Sequence, residues 1–529
     1  MITFEAFRRF KSFIARNQLF LLFILTYFTF VTYFLRGISS LDPDFGWRLK
    51  FGQMVIDSGI PKTDPFSYTM PSFPFVDHSW LFSVFAALTY PVFANILLSL
   101  LLAFAIFTAV ILSNKRLKES DFGHCNLNFR WERWVHPMTL AVLTFLLLFF
   151  AVRAQIVSWL IFSFLMLILF TKDYYFRFKY FLPVVFLVWA NFHGGYSIGL
   201  FILGYFLAFR YLINKKGSWK DVLVLFLCIA ATLVTPYGLA GWREVASSVL
   251  DSRLRYTIAE WMPSVTFFDL SMIFYISMST FMVFYKRREI PKIQFYLFWA
   301  LFIFALSSRR NMPYFMLYSL PLTVVAVEKL YQEVKDKSVG RERFSIAFNF
   351  LRIFAVILLF GQLYFSYWRA YTQRGVPSRG GGFYPESAVS FLKSENLSDE
   401  TFSSYGWGGY LIWKLPGKRI FVDGRMPSWK FNPADSSRET TSAYSDYLNI
   451  ENGELDFNSQ ANKYSIGHVL WPVEKPSFFG SLGKKARKLF TTSEKADFSF
   501  TKYLLENGWK IIYSDETSVV YKRIDKSTW

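Results

Sequence analysis

The chain has 529 residues, of which 53% are hydrophobic and 21% are aromatic, and its mean hydropathy is +0.27. This apolar balance excludes an ordinary soluble protein of this length and favours a polytopic membrane protein. The formal net charge of +20 is assigned to cationic loops that face anionic lipid, so no nucleic-acid partner is expected.

Apolar runs in the first two thirds of the chain predict about eleven transmembrane helices, each near the roughly 20 residues that a helix needs to cross a bilayer. They lie at 18–36, 91–113, 136–152, 155–171, 180–192, 197–213, 221–236, 270–285, 293–308, 312–328 and 350–367. After Tyr367 the sequence becomes polar and glycine-rich, and no further spanning run follows. The prediction is a transmembrane domain over 1–367, with a first outer loop at 37–79, and a soluble α/β domain over 368–529.

The distribution of basic residues predicts the orientation. If the N-terminus is cytoplasmic, 26 of the 36 Lys and Arg residues in 1–367 fall on the cytoplasmic side. This is the asymmetry of the positive-inside rule. An odd number of spans then places the C-terminal domain outside the cytoplasm, and the expected location is a bacterial inner membrane.

The same topology collects the unusual polar residues on the outer face. Carboxylates, arginines and histidines that converge there form the pattern of a reaction site, because ionisable residues at membrane depth are functional by default. The candidate site residues are Asp42, Asp44, His78, Arg153, His193, Glu260, Arg309 and Arg310.

All of these candidates except His78 also have a purely structural interpretation. Asp44 is placed to cap the helix that starts near Phe45, and Asp42 suits an Asp-Pro turn. His193, in "NFHGG", suits a hydrogen bond at a helix junction. The remaining alternatives are an interfacial anchor for Arg153, solvation for Glu260, and snorkelling to lipid headgroups for Arg309 and Arg310.

A substrate with a lipid tail, a phosphate and a sugar fits this set of groups. Arginine forks bind phosphate oxygens, and a carboxylate base can deprotonate the acceptor. Because phosphate leaves as a stable anion, one base on the acceptor side is enough for inversion. Asp44 with Arg153, Arg309 and Arg310 can supply these parts. Alternatively, Asp42 and Asp44 could hold a divalent metal through their oxygens, although no cofactor is firmly implied.

The segment "DPDFGWRLKFGQMVIDSG" resembles the acidic first outer loop of the GT-C superfamily of integral membrane glycosyltransferases, with Asp44 at the catalytic acidic position. That superfamily includes protein O-mannosyltransferases, aminoarabinose transferases and oligosaccharyltransferases. The run "WLFSVFAALTY" is similar to an amphipathic juxtamembrane helix of these proteins. A closer resemblance is to a largely uncharacterised bacterial GT-C-like group with runs similar to "DPFSYT", "HSWL", "WANFHGG", "EWMP", "RRNMPYF", "SSYGWGGYLIWKL" and "FVDGR".

The resemblance implies transfer of a sugar from a polyprenyl-linked donor to a lipid, glycan or protein acceptor at the extracytoplasmic face. The motif Asp-Pro-Asp stands where many members have adjacent acidic residues, which leaves open whether Asp42 or Asp44 is the base. The alternative functions are a non-catalytic assembly subunit with the same fold and a lipid or glycan transporter.

The C-terminal region carries two strand signals. "FSSYGWGGYLIWKLPGKRIFVDGRMPSW" predicts two short strands and a turn at Asp423-Gly424. "KYLLENGWKIIYSDETSVVYKR" predicts a helix end followed by a strand, a tight turn and a second strand. Arg425 and the aromatic residues suit glycan or acceptor binding, and a structural turn is an equal alternative.

Overall fold

The computed structural model describes residues 18–39, 42–118, 137–215, 217–266, 270–336, 383–395, 399–473 and 498–524, with a few isolated positions between 357 and 368. The chain divides into two compact units. We call 1–38, 96–238 and 260–370 the helical unit, and 39–95, 239–259 and 371–529 the mixed unit. The first outer loop therefore belongs with the C-terminal region. The division at residue 367 follows the sequence alone and stays a prediction.

The helical unit is built from apolar α-helices. Their bounds are Gln18–Ser39, Ile96–Lys118, Pro137–Leu146, Gln155–Phe170, Tyr174–Phe178, Leu182–Phe192, Tyr196–Ala208, Trp219–Thr232, Leu270–Tyr285, Lys292–Ser307 and Met312–Asp336. Helix Ile96–Lys118 packs along helix Gln155–Phe170, and helix Met312–Asp336 packs on both.

Two helical segments are long and apolar enough to cross a membrane, Ile96–Arg116 and Tyr196–Ile213. A third is added if Gln155–Phe170 and Tyr174–Phe192, which are bent by 118°, form one span. Among the described residues, shorter apolar helices of 10–17 residues are Ile24–Ile38, Trp80–Phe93, Met272–Tyr285 and Lys292–Ser307. The predicted number of about eleven spans is therefore not confirmed, and the predicted span 350–367 lies largely outside the described residues.

Two predicted boundaries differ from the structure in informative ways. The predicted span 91–113 starts late, at Ile96, because Ala94 has a positive φ of 49° that ends the preceding helix. The tight pair of spans around residue 153 is present as two separate helices. A short 3-10 turn, Leu147–Phe149, and a bend separate them, so Arg153 lies in the break just before helix Gln155–Phe170.

The mixed unit contains a four-stranded sheet in the order β1-β2-β4-β3. Its strands are β1 (Glu400–Ser403), β2 (Ile466–Pro472), β3 (Trp509–Ser514) and β4 (Ser518–Arg523). β1 pairs with β2 in parallel, and the other two pairings are antiparallel. The described helices of this unit are Phe45–Ser58, Trp80–Phe93, Leu239–Leu250, Leu254–Thr257, Glu386–Ser394, Gly408–Lys414, Ala443–Glu451, Phe457–Tyr464 and Phe500–Glu506.

One strand prediction is confirmed and the other is wrong. Helix Phe500–Glu506, β3 and β4 follow one another as predicted. In the other run, β1 is present, but "GGYLIWK" forms the helix Gly408–Lys414 and no second strand follows, although Ile420 makes an isolated bridge. In this helix Gly409 lies against Pro43 and Trp47, and Tyr410 and Leu411 are buried.

The first outer loop is part of the core of the mixed unit. The backbone N–H of Tyr68 donates to the carbonyl of Ile420 at 3.1 Å, and the N–H of Ile420 donates to the carbonyl of Phe66 at 3.0 Å. The hydroxyl of Thr69 donates to the carbonyl of Phe421 at 2.6 Å. Because these bonds join residues more than 350 positions apart, the loop is fixed by the C-terminal region, and its local sequence does not determine its shape.

Two glycines allow helix Phe45–Ser58 to approach helix Gly408–Lys414 closely. A Cβ on Gly46 would overlap the carbonyl oxygen of Gly409, and a Cβ on Gly409 would overlap the carbonyl oxygen of Pro43. The backbones are therefore in direct contact at this crossing. Glycine allows another backbone to approach closely, and this explains the Gly-Gly pair in "YGWGGYLIW".

A buried ion cluster, formed by Asp64, Asp423 and Arg425, joins the first outer loop to the C-terminal region. Arg425 Nε lies 2.8 Å from Asp423 Oδ2, and Arg425 Nη1 contacts Asp64 Oδ1. The side chain of Arg425 is 3% exposed and both carboxylates are fully buried. Burial raises the pKa of Asp423 above its ordinary value even though Arg425 opposes the shift. Burial acts to lower the pKa of Arg425, but Asp423 and Asp64 outweigh it and raise that pKa.

Substitution of Gly46 by Ala is expected to destabilise the mixed unit by roughly 1–3 kcal/mol, because the added methyl group forces the two backbones apart. Thermal unfolding of the purified protein measures the effect. Gly204→Ala is the matched control, since a Cβ at that helical position has no heavy atom within 4 Å. Equal stability of the two variants would show that the crossing can relax without cost.

Substitution of Arg425 by Met is expected to cost roughly 3–5 kcal/mol, because it leaves two buried carboxylates without their cation. Arg438→Met is the control, since that side chain is 86% exposed and pairs only at the surface with Asp435. The two unfolding temperatures are compared at neutral pH. If Arg425→Met lowers the unfolding temperature no more than Arg438→Met does, a stabilising role for the cluster is contradicted.

Candidate active site

The Asp-Pro-Asp motif forms a tight turn at the start of helix Phe45–Ser58. Asp42 Oδ1 accepts the backbone N–H of Asp44 at 2.9 Å, and the carbonyl of Asp42 accepts the N–H of Phe45 at 2.9 Å. The side chain of Asp42 is therefore engaged in the turn, as its structural interpretation expected. This arrangement presents Asp44 as the residue at the helix N-terminus.

Asp44 occupies the N-cap position but does not act as a side-chain cap. Its carboxylate accepts no hydrogen bond from the first turn's backbone in the described helix, and the residue is half-buried. The indole N–H of Trp47 lies near this carboxylate and favours its ionised form, but it makes no hydrogen bond of normal geometry. The geometry therefore argues against a side-chain capping role for Asp44.

The surroundings of Asp44 change its ionisation. Burial, reinforced by the charge of Asp42 and, more weakly, of Asp423, raises the pKa of Asp44 to about 7, against the lowering effects of Arg48 and Trp47. A helix N-terminus favours the ionised form of a nearby carboxylate, but burial outweighs that effect here. A carboxyl group that titrates near neutral pH has the pKa expected of a general base working at that pH.

Arg48 is a neighbouring cation that sequence reasoning did not single out. Its guanidinium lies 3.2 Å from Asp77 Oδ1 and 4.3 Å from the centroid of the Trp47 ring. The spacing of four residues from Asp44 on one helix could have revealed it, because such residues share a face. Asp77 also accepts from the backbone of Ser79 at 2.9 Å, so it fixes the start of the next helix. His78 is half-buried in that same turn.

In the helical unit, the structure brings together Glu260 and the three predicted arginines. Arg153 Nη1 lies 2.6 Å from Glu260 Oε1, and the Glu260 side chain is 49% exposed. Partial burial acts to raise the pKa of Glu260, but Arg153, followed by Arg310 and Arg309, outweighs it and holds that pKa below its ordinary value. Glu260 is therefore an anion that already interacts with all three cations.

The backbone explains why the arginines meet. The N–H of Arg310 donates to the carbonyl of Glu260 at 3.0 Å, and the N–H of Arg309 donates to the carbonyl of Met262 at 2.9 Å. Gln155 Nε2 donates to the carbonyl of Arg310 at 3.2 Å. Three segments that are distant in sequence thus converge at one place.

An aromatic residue orients one of these cations. The Arg310 guanidinium lies 4.1 Å from the centroid of the Trp261 ring, a cation–π contact. Trp261 was noted as part of the "EWMP" run but was not assigned a role. Together with the ion pair of Arg153, this stacking gives the arginine cluster (Arg153, Arg309 and Arg310) a defined geometry.

His193 lies at the junction between helices Leu182–Phe192 and Tyr196–Ala208. Its Nδ1 accepts the backbone N–H of Gly195 at 3.0 Å and lies 2.8 Å from the hydroxyl of Ser158, which also accepts from Trp189 Nε1 at 2.7 Å. Because an N–H donates to Nδ1, the neutral ring is assigned its proton on Nε2. These bonds match the structural interpretation, and a substrate role for His193 stays a prediction.

The described residues contain no group of three or more His, Cys, Asp or Glu side chains that could hold a metal ion. Of the two carboxylates considered for a metal, Asp42 has one oxygen engaged by the backbone of Asp44.

Comparison with known proteins identifies the fold. No protein-family model matches the sequence, and no curated protein sequence matches it. Among solved structures, archaeal oligosaccharyltransferase AglB from Archaeoglobus fulgidus, in complex with an inhibitory peptide and a dolichol-phosphate, aligns with a TM-score of 0.53 at 12% identity, over 97% of this chain and 75% of AglB. ArnT from Cupriavidus metallidurans, bound to undecaprenyl phosphate, aligns with a TM-score of 0.50 at 12% identity, over 97% of this chain and 99% of ArnT.

A second structure of ArnT, in the apo state, aligns with a TM-score of 0.50 at 13% identity, over 96% of this chain and 98% of that chain. The alignments extend over nearly the whole chain, helical and mixed units alike. Together with the membrane-length helices, they support an integral membrane protein. The resemblance drawn from the sequence is thereby confirmed at the level of architecture: this chain has the GT-C fold, which it shares with ArnT and AglB.

Proposed function

We propose that this protein is a membrane glycosyltransferase that moves a sugar from a polyprenyl-phosphate or polyprenyl-diphosphate donor to a lipid, glycan or protein acceptor. The GT-C fold supports the class of reaction, and the structures of ArnT and AglB contain an undecaprenyl phosphate and a dolichol-phosphate, respectively. The donor proposed here has the same chemistry, a long isoprenoid tail with a phosphate at its end.

The observation that carries the proposal is the state of Asp44. It stands at the start of a helix, it is not used as a cap, and its pKa is raised to about 7. A carboxylate whose only task is structural is usually ionised and engaged by backbone donors, as Asp42 is by Asp44. Asp44 instead has the properties of a group that gains and loses a proton during the reaction.

The proposed step is a single displacement with inversion. Asp44 takes the proton from the acceptor hydroxyl or amide, whose oxygen or nitrogen forms a bond to the anomeric carbon. The bond from that carbon to the phosphate oxygen breaks, and the electron pair leaves with the phosphate. Asp44 then releases its proton to solvent, so one base completes the cycle.

The arginine cluster is assigned to the donor phosphate. Guanidinium groups bind phosphate oxygens with two parallel hydrogen bonds, and they stabilise the negative charge that grows on the leaving phosphate. Glu260 aligns Arg153 before the donor arrives, at 2.6 Å, and Trp261 aligns Arg310. Preformed donors of this kind cost little reorganisation during the reaction.

The proposed site faces the outside of a bacterial inner membrane, with the N-terminus in the cytoplasm and a periplasmic C-terminal domain. The charge distribution supports this orientation, since 26 of 36 basic residues in 1–367 fall on the proposed inner side. A lipid-linked donor made in the cell envelope would be available on that side.

Asp44→Asn is expected to fold normally, because Asn has nearly the same shape as Asp and the Asp44 side chain makes no capping hydrogen bond that would be lost. It is expected to lose roughly 100-fold or more in transfer rate, because Asn cannot accept the proton. Transfer is measured with a panel of polyprenyl-phosphate sugars, and Asp435→Asn, an exposed position, is the control. The parental rate is expected to rise with pH through about 7 and then level off, since the base works in its ionised form. If Asp44→Asn transfers sugar as fast as the unsubstituted protein, the base must be Asp42 or Glu260 instead.

Arg153→Lys and Arg310→Lys are expected to weaken binding of undecaprenyl phosphate about tenfold each, because lysine keeps the charge but loses the planar fork. Arg255→Lys, an exposed arginine of the mixed unit, is the matched control. Binding is measured by titrating the lipid into detergent-solubilised protein. If neither the Lys nor the corresponding Ala variants change the affinity, the phosphate binds elsewhere.

Single cysteines placed at 400–430 in a cysteine-free background are expected to react with a membrane-impermeant maleimide added from outside the cell. The native Cys125 and Cys228 are first replaced. A cysteine placed near residue 215 is expected to react only after the membrane is opened. The reverse pattern would invert the proposed topology and remove the site from the outer face.

A further inference from the structure

The turn Asp423–Arg425 of the C-terminal region touches the carboxylate that we propose as the base. A Cβ on Gly424 would overlap Asp44 Oδ1, so the backbone of the turn is in direct contact with that oxygen. A second contact lies beside it, where Gly409 approaches the carbonyl oxygen of Pro43. Residues 43 and 44 are therefore held on one side by two backbone segments from the distant C-terminal region.

This turn is itself rigidly held. Asp423 Oδ1 accepts the backbone N–H of Arg425 at 3.0 Å, and the carbonyl of Asp423 accepts the N–H of Met426 at 3.1 Å. The buried ion cluster ties the same two residues to Asp64 in the first outer loop. A Cβ on Gly408 would overlap the carbonyl of Val422, so the chain before the turn is also closely packed.

The charged groups that face Asp44 come from three places. Asp42 lies in its own turn, Arg48 lies one helical turn further on, and Asp423 lies in the opposing turn of the C-terminal region. The indole N–H of Trp47 also lies near this carboxylate. Arg425, the cation nearest to Asp423, is engaged by Asp423 and Asp64.

We propose that the turn Asp423–Arg425 is a positioning element of the active site, in which Gly424 fixes the orientation of the Asp44 carboxylate by direct contact. The negative charge of Asp423, in the same turn, acts in addition on the ionisation of Asp44. The proposal rests on the function proposed above, in which Asp44 is the base. It gives the C-terminal region a part in the transfer step that is separate from acceptor binding. It also gives "FVDGR" a specific purpose, since each of its last three residues has a distinct task.

The three tasks follow from the contacts. Arg425 is buried and engaged by two carboxylates, so glycan binding by this side chain, one of the two interpretations drawn from the sequence, is disfavoured. Asp423 is bound by that arginine and still acts on Asp44 through its charge. Gly424 is the residue whose missing side chain makes room for the Asp44 oxygen.

The charge effect is tested without any sugar substrate. The purified full-length protein is treated with dicyclohexylcarbodiimide, which reacts with protonated carboxyl groups, over a series of pH values, and labelling of Asp44 is quantified by mass spectrometry. Asp423→Asn is expected to move the midpoint of Asp44 labelling to lower pH and to reduce labelling at neutral pH about twofold, because a neighbouring negative charge is lost. Asp423→Glu is expected to keep the midpoint near the parental one, and Asp435→Asn is the matched control.

The contact is tested by Gly424→Ala. The added methyl group displaces the Asp44 carboxylate, so kcat is expected to fall roughly 10- to 100-fold while the KM for the donor stays unchanged. Gly204→Ala, which adds the same methyl group in open space, is expected to transfer at the parental rate. The methyl group is also expected to alter the pH dependence of Asp44 labelling, and thermal unfolding reports whether each variant is folded.

An unchanged labelling curve in folded Asp423→Asn and in Gly424→Ala would overturn the proposal. If Asp423→Asn does not fold, Gly424→Ala alone decides it, by the labelling curve and by the transfer rate. If the parental protein transfers no sugar from any donor, the proposed function fails, but the labelling curves still decide whether the turn governs Asp44. A curve that shifts without any transfer activity would therefore support the turn's effect on Asp44 and contradict the enzyme.

Discussion

The mixed unit depends on the burial of Arg425 between Asp64 and Asp423. A guanidinium loses its hydration when it is buried, and only close counter-charges compensate for that loss. Here one carboxylate comes from the first outer loop and the other from the C-terminal region, and all three side chains are nearly inaccessible to solvent. The ion cluster therefore requires the two parts of the chain to fold together. The rings of Trp47, Phe66, Phe75 and Trp429 surround the guanidinium at 5.0–5.7 Å and exclude water from it.

This constraint has a direct effect on Asp44. Because the turn at 423–425 is fixed, its backbone can press against the Asp44 oxygen, and the resulting desolvation favours the protonated form. The nearby Arg48 opposes that effect, so the group titrates near neutral pH and is not locked in either state. Balanced opposing terms of this kind are how proteins tune a general base, and they need groups from several parts of the chain.

The helical unit solves a different electrostatic problem. Three arginines from two separate segments would repel each other, and Glu260 provides the anion that holds them together. The ion pair of Glu260 with Arg153 is partly exposed, since 49% of the glutamate side chain is accessible to solvent. Solvent and salt therefore screen this pair, whereas the buried ion cluster of the mixed unit is shielded from both. A half-buried, cation-rich cluster can accept a further anion, whereas a neutralised buried one cannot. This difference is the physical reason for assigning phosphate binding to the arginine cluster and a structural task to Arg425.

The sequence by itself determined the features that depend on local patterns. Apolar runs identified the helices of the helical unit, the asymmetry of charge suggested an orientation, and the alternation at 509–523 identified β3 and β4, because side-chain periodicity follows the local backbone. It also pointed to Asp44 and to the arginines. Tertiary structure alone decided that "GGYLIWK" is a helix, that the helix predicted from residue 91 starts only at Ile96, and that Arg153, Arg309 and Arg310 all act on Glu260. It also decided the pKa of Asp44, because that value depends first on burial and also on the charge of Asp423, nearly 380 positions away, and no local pattern encodes contacts at such a distance.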